Sequence, residues 1–164
     1  MRIIAKYVGR LENSNISNNQ LMTIQVQEII KIDGEFQVLL SRPFEPFLKA
    51  LEVKLVPIST ACWRGYIGTW ELVNNVLYLT GIKLNYHEED EEKLIPLKLY
   101  DVIYQATWYT GELKIGIGRL IYIGDNYQPL YEKEMICTVE GGLITNHDIV
   151  KNKVPKIDDD ALPF

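Results

Sequence analysis

Apolar and polar residues alternate with period two along most of this chain. From Arg2 to Val8 the alternation sets Ile4 against Ile3, Ala5 and Tyr7, and later Met22, Ile24, Val26 and Glu28 alternate with Thr23, Gln25 and Gln27. A period of two puts successive side chains on opposite faces of an extended strand. Ile29 to Ile32 then meets Asp33-Gly34, a dipeptide that readily takes the positive φ of a tight turn, and Glu35 to Leu40 returns as a second strand. The same logic predicts three more hairpins. Tyr66 to Leu72 pairs with Val76 to Ile82 across Val73-Asn74-Asn75, Leu113 to Ile117 with Leu120 to Ile123 across Gly118-Arg119, and Lys133 to Val139 with Leu143 to Thr145 across Gly141-Gly142. The whole reads as mainly β, with antiparallel hairpins forming a sandwich, a curled sheet or a barrel. Thr69-Trp70-Glu71-Leu72 with Leu77-Tyr78-Leu79 is echoed by Thr110-Gly111-Glu112-Leu113 with Leu120-Ile121-Tyr122-Ile123. Either two similar hairpins are packed as layers, or the echo is chance in a chain rich in Leu, Ile and Tyr.

Two stretches break the alternation and predict one or two short helices. Phe44, Phe47, Leu48 and Leu51 stand at helical spacing with Pro46 near the first turn, while Glu52 to Val56 reads as a strand that competes with the last turn. Pro96 with Leu97, Tyr100 and Tyr104 predicts a second short helix or turn. Glu88 to Glu92 is a run of five acidic residues, expected as an exposed loop because like charges repel in a packed element. No linker divides the chain, so residues 1–156 are expected as a single β-rich domain and 157–164, with Asp158 to Asp160, as an acidic tail.

Composition narrows the class. With 164 residues, 47% of them hydrophobic and 24% charged, the chain can bury a sizeable core, which excludes a disordered or fibrous protein. Seventeen Lys and Arg against 22 Asp and Glu leave a net charge of -5 with no gathering of basic residues, which argues against a nucleic-acid binder. Met1 to Gly9 carries Arg2 and Lys6 among its apolar residues and no small-residue cleavage site, so it reads as neither signal peptide nor anchor. No apolar run approaches the roughly 18 to 20 residues of a membrane helix. The expected location is cytoplasmic, with Cys62 and Cys137 as reduced thiols used as small core residues.

Catalytic chemistry finds no constellation. His87-Glu88-Glu89 has the H-x-E spacing of zinc deaminases, but that motif also needs a P-C-x-x-C, and Cys62 and Cys137 stand alone. No serine sits in a G-x-S-x-G turn or beside a histidine. Gly116-Ile117-Gly118 lacks the third glycine of a dinucleotide fingerprint and precedes a strand instead of a helix. The expectation is a protein that is not an enzyme, with no catalytic residue, no metal and no cofactor.

The most distinctive segment is Cys62-Trp63-Arg64-Gly65-Tyr66-Ile67-Gly68-Thr69-Trp70. Alternation places Cys62, Arg64, Tyr66, Gly68 and Trp70 on one face, and Trp63, Gly65, Ile67 and Thr69 on the other. Two readings follow. Trp63, Tyr66, Trp70 and Trp108 form an exposed aromatic surface for a sugar or a partner, or the segment is a core strand with Arg64 stacked on an aromatic ring. Ala61 to Leu72, with Val76 to Leu79, Trp108 to Leu113, Tyr131-Glu132-Lys133 and Glu140-Gly141-Gly142, resembles a group of small uncharacterised β-rich bacterial proteins with a CWRGYxGTWE signature. Some members resemble antitoxins encoded beside secreted polymorphic toxins. The resemblance covers roughly residues 60 to 145. It implies a β-rich fold without assigned catalysis and transfers no active-site residues.

The leading expectation is therefore an immunity protein that binds a toxin domain and occludes its active site. Its partner is the cognate toxin, with no nucleic acid and no membrane, and the sequence sets no oligomeric state. Glu88, Glu89, Asp90, Glu91 and Glu92 are the candidate toxin-binding residues, since an acidic surface is steered to the basic cleft of a toxin that attacks nucleic acid. The alternative is a sandwich or barrel that binds a small molecule or carbohydrate in an aromatic cleft lined by Trp63, Trp70 and Trp108.

Overall fold

In the computed structural model, which describes residues 25–97, 103–124 and 127–156, seven strands close into a mixed barrel and an eighth pairs beside it. The elements are β1 (Glu28–Ile32), β2 (Glu35–Leu39), α1 (Glu45–Ala50), β3 (Tyr66–Val73), β4 (Val76–Leu84), a 3-10 helix (Glu88–Leu97), β5 (Tyr104–Gln105), β6 (Gly111–Ile123), β7 (Pro129–Glu140) and β8 (Leu143–Lys151). Around the barrel the order is β3, β1, β2, β6, β7, β8, β4, and β4 returns to β3. Every neighbouring pair is antiparallel except β1 and β3, whose parallel register sets Ile30 beside Trp70.

Three of the four expected hairpins form where their turn residues stand. Asp33 and Gly34 take φ of 49° and 83° between β1 and β2, and Asn74 and Asn75 take 50° and 61° between β3 and β4. Gly141 and Gly142, at 54° and 82°, join β7 to β8. Two residues in the left-handed region twist a tight turn to suit the strands it connects. The hairpin expected at Gly118-Arg119 does not form. Gly118, at φ 81°, lies within the single strand β6, where the register against β7 slips between Ile117 and Leu120. A positive-φ glycine serves a bulge as well as a turn, and the long strand β7 is the partner that decides between them. The echo of the β3–β4 sequence therefore falls in a bulged strand, not in a second hairpin.

Helix α1 starts with Pro46 in its first turn and stops before Glu52, a non-glycine residue at φ 56°. Of the competing strand at Glu52 to Val56, only a single bridge from Leu55 to Tyr86 remains. The strand expected at Arg2 to Val8, part of the one at Met22 to Glu28, Tyr100 and the acidic tail lie outside the described residues. Tyr104, expected near a second short helix, instead opens β5. Leu39, Leu77, Leu113 and Ile115 fill the barrel at 1% exposure or less, and Phe44, wholly buried, packs onto this core just ahead of α1.

Closure is a short seam. β4 meets β8 only at Val76 and Leu143, flanked by Leu77 N–H to the Gly142 carbonyl and Ile144 N–H to the Asn75 carbonyl, both at 2.8 Å. Two hairpin turns thus hydrogen-bond each other across the join. A Cβ on Gly142 would lie 2.7 Å from the Ala106 carbonyl oxygen, whereas Gly34, at a similar φ, has nothing within 4 Å. Gly34→Ala is expected to cost only the left-handed backbone strain, about 1 kcal/mol. Gly142→Ala is expected to cost clearly more, and urea denaturation of the two variants checks the order. Equal losses would mean that the seam yields to a methyl group.

Candidate functional site

Strand alternation holds only within β3, where Tyr66, Gly68 and Trp70 are buried along the inner phase; Cys62 to Gly65 ahead of it form a turn, with Gly65 at φ 77°, in which Cys62 and most of the Arg64 side chain are also buried. The Arg64 guanidinium carbon sits 5.3 Å from the centre of the Tyr66 ring, the stacked arrangement of the core-strand reading. Trp63, in the same turn, is exposed. Trp108 is half-buried; its indole N–H donates to the Pro43 carbonyl at 2.7 Å, and its ring packs 4.9 Å from that of Phe47. Of the four aromatic residues considered for a binding surface, Trp63 alone is exposed, because Tyr66 and Trp70 belong to the core. Trp70 is wholly buried while Trp63 is exposed, so the two rings do not share a solvent-facing surface.

A polar cluster lies among these rings. Glu28 shares the inner phase of β1 with Ile30 and Ile32 and is 2% exposed. Its Oε2 accepts the Trp70 indole N–H at 2.7 Å. A side chain at 68 has no place there, since a Cβ would fall 2.8 Å from Trp70 Nε1. Arg64 donates from Nη1 to the Val26 carbonyl at 2.6 Å, while its Nε stands 3.8 Å from Glu28 Oε1, beyond hydrogen-bond reach. Glu28 Oε1, Arg64 Nε and Nη2, and the Tyr66 hydroxyl are buried with no hydrogen-bond partner among the described residues. Burial outweighs the pull of Trp70, Arg64, Gly68 and Arg42 and lifts Glu28 from the usual 4.5 to about 7. Burial, and then the Glu28 charge, push the Tyr66 phenol upward as well.

The acidic run behaves differently from its expectation. It begins the 3-10 helix Glu88–Leu97, in which Asp90 and Leu94 turn inward while Glu88, Glu89, Glu91 and Glu92 remain exposed. Asp90 Oδ2 accepts the Lys54 backbone N–H at 3.3 Å and Oδ1 pairs with Lys93 Nζ at 2.8 Å. Lys93 Nζ also donates to the Glu52 carbonyl at 3.3 Å, tying the helix to the end of α1. The Lys93 hydrogen bond, aided by the Lys54 amide, holds the Asp90 carboxyl below its ordinary value. One carboxylate can be folded inward because an ammonium and an amide meet it there, and the other four stay in water. Asp90 is therefore a structural clamp, separate in role from its four acidic neighbours.

Among the described residues no group of three or more His, Cys, Asp or Glu is placed to hold a metal ion, and no helix is long and apolar enough to cross a membrane. Cys62 and Cys137 are buried free thiols. No family model matches the chain, and neither a curated protein nor a solved structure does. Glu28 is the site residue that sequence reasoning missed. Its signal was a charge in the same strand phase as Ile30 and Ile32, and Arg64 carried the same signal beside Tyr66 and Trp70.

Two outcomes separate the interior from the surface. Folded protein keeps the Glu28 proton up to about pH 7, whereas the unfolded chain releases it near 4.5. The stability this group contributes is thus complete below 4.5 and lost as pH rises through 7, a loss of up to about 3 kcal/mol. Glu28→Gln is expected to match wild type near pH 4.5 and exceed it at pH 8, checked by denaturant unfolding across that range; parallel pH profiles would refute it. At the surface, Asp90→Ala is expected to lower the melting midpoint while Glu92→Gln leaves it in place, checked by calorimetry.

Proposed function

We propose that this barrel is an immunity protein, a non-enzymatic cytoplasmic binder that neutralises a bacterial toxin domain by covering its active site. The observation that carries the reading is an ordered acidic ridge. Glu88, Glu89, Glu91 and Glu92 face solvent from a helical segment whose inner side is fastened by Asp90 and Leu94. A surface that is already ordered loses less conformational freedom on association than a mobile loop. A dense negative field speeds encounter with the basic cleft that a nuclease-type toxin needs for its own substrate, and the net charge of -5 adds to that field at longer range. Some members of the β-rich bacterial group that Ala61 to Leu72 resembles are themselves similar to antitoxins, in keeping with the same reading.

The test is association kinetics with a nuclease-type toxin domain, should one be encoded by a neighbouring gene, followed by stopped flow at low and high salt. Reversing Glu88, Glu89, Glu91 and Glu92 to Lys, with Asp90 kept, is expected to slow association at low salt by about tenfold or more and to flatten its salt dependence. The melting midpoint should hold, because none of the four is part of the clamp. An unchanged association rate at an unchanged midpoint would show that the ridge is not the interface.

A further inference from the structure

Strand β8 outruns the seam that it closes. It meets β4 at Leu143, and because β4 begins at Val76 and Ile144 already bonds the Asn75 turn, the rest of β8 has β7 as its one neighbour among the described residues. Every residue from Thr145 to Lys151 is exposed. The Asn152 N–H donates to the Glu132 carbonyl, which fixes the alternation of the ladder. Asp148 and Val150 bond β7 in turn, while the N–H and C=O of His147, Ile149 and Lys151 point away from it. Among the described residues nothing pairs with that edge. Its side chains are sorted by charge. His147, Ile149 and Lys151 share one face with their cross-strand partners Cys137, Met135 and Lys133, and Asp148 and Val150 take the other. Lys151 therefore lies directly opposite Lys133, in a closely spaced pair of the ladder, where like charges destabilise a sheet. Both lysines are exposed, and neither has an ion-pair partner among the described residues; exposed Lys153 follows two positions on. A chain of net charge -5 thus keeps a Lys–Lys contact at an open sheet edge.

We propose that the edge of β8 from His147 to Lys151 is a docking site for an extended acidic segment of a partner protein, which adds to the sheet as a further antiparallel strand. The outward N–H and C=O groups of His147, Ile149 and Lys151 supply the main-chain hydrogen bonds. Charge complementarity selects the occupant. Acidic residues at alternate positions fall on the face of Lys133 and Lys151 and relieve their repulsion, and the positions between them, on the face of Val150, are apolar. Asp148 on that second face repels an acid, so it fixes the phase of the incoming strand, whose faces a one-residue slip would exchange. Ile149 and Val150, 57% and 41% exposed, give the added strand an apolar contact on each face. A second copy of this chain fits the edge poorly, because it would carry its own lysines to the join. The sign is opposite to that of the ridge at Glu88 to Glu92, so the site is separate from it and does not depend on the toxin-binding reading.

The probe is a blocked octapeptide of alternating glutamate and valine, with alternating lysine and valine as the reference. Each is titrated into the isotope-labelled full chain and read by the amide spectrum and by amide hydrogen exchange. The glutamate peptide is expected to slow exchange at His147, Ile149 and Lys151, more weakly at high salt, and the lysine peptide to leave it unchanged. Ile149→Pro deletes only an outward N–H, which an edge strand tolerates, and is expected to keep the folded spectrum while losing the peptide. Lys151→Glu is expected to weaken binding about tenfold and, by removing the repulsion from Lys133, to leave the melting midpoint no lower than that of wild type. The proposal fails if the three amides gain no protection, if the two peptides bind alike, or if Lys151→Glu or folded Ile149→Pro binds like wild type. It also fails if these amides are already slow in the free chain. The edge would then be covered by a second copy where dilution restores exchange, and by a segment of the same chain where it does not.

Discussion

The indole of Trp70 lies wholly inside the barrel, where its N–H has to find an acceptor, and Glu28 provides one at 2.7 Å. Much of the interior follows from that bond. It puts an acid on the inner phase of β1, and the parallel register of β1 and β3, with Ile30 beside Trp70, is the one in which the two side chains meet. Position 68 must then be glycine, because a Cβ would collide with the indole nitrogen and crowd the carboxylate. A buried acid in turn favours a cation nearby, and Arg64 enters from the turn just ahead of β3. The polar cluster is thus a consequence of burying the largest side chain of the core.

Closure of the barrel rests on local and distant pairing acting together. The three tight turns form within a few residues, but the parallel pairing of β1 with β3 and the short contact of β2 with β6 bring together segments far apart in sequence. Where β4 and β8 meet, the Asn75 and Gly142 carbonyls of the two turns accept from Ile144 and Leu77 in each other's flanking strands. The seam is only one residue pair wide, and β5 takes over the edge of β4 directly beyond it, at Tyr78 and Leu79. A short edge strand here keeps exposed backbone groups of β4 paired.

The protein treats charge in two opposite ways. Outside, four glutamates stand in water on a helical segment whose fifth acid, Asp90, is neutralised by Lys93 and the Lys54 amide. Inside, Glu28 and Arg64 form a buried ion pair at 3.8 Å with no hydrogen bond between them. The two regions are joined by packed contacts. Lys93 reaches the Glu52 carbonyl at the end of α1, and just before α1 Phe44 meets the Tyr66 ring edge-on at 5.7 Å. Surface ridge and interior cluster therefore border the same short helix, one at each end.

Sequence by itself determined the local geometry. Asp33-Gly34, Asn74-Asn75 and Gly141-Gly142 make turns because these residues tolerate positive φ wherever they occur, and the phase of Tyr66 to Trp70 follows from the two-residue period of any strand. The helix at Glu45–Ala50 is equally legible from its apolar spacing and from Pro46. Tertiary structure decided what depends on partners. Gly118 became a bulge because β7 runs beside it on both sides, and Asp90 turned inward because its donors arrive from Lys54 and Lys93. A barrel in place of a sandwich, and the meeting of Glu28 with Arg64 and Trp70, came from the parallel pairing of β1 with β3. No local signal encodes that pairing, because hydrophobic phase states which face a residue takes and is silent on which strand lies beside it.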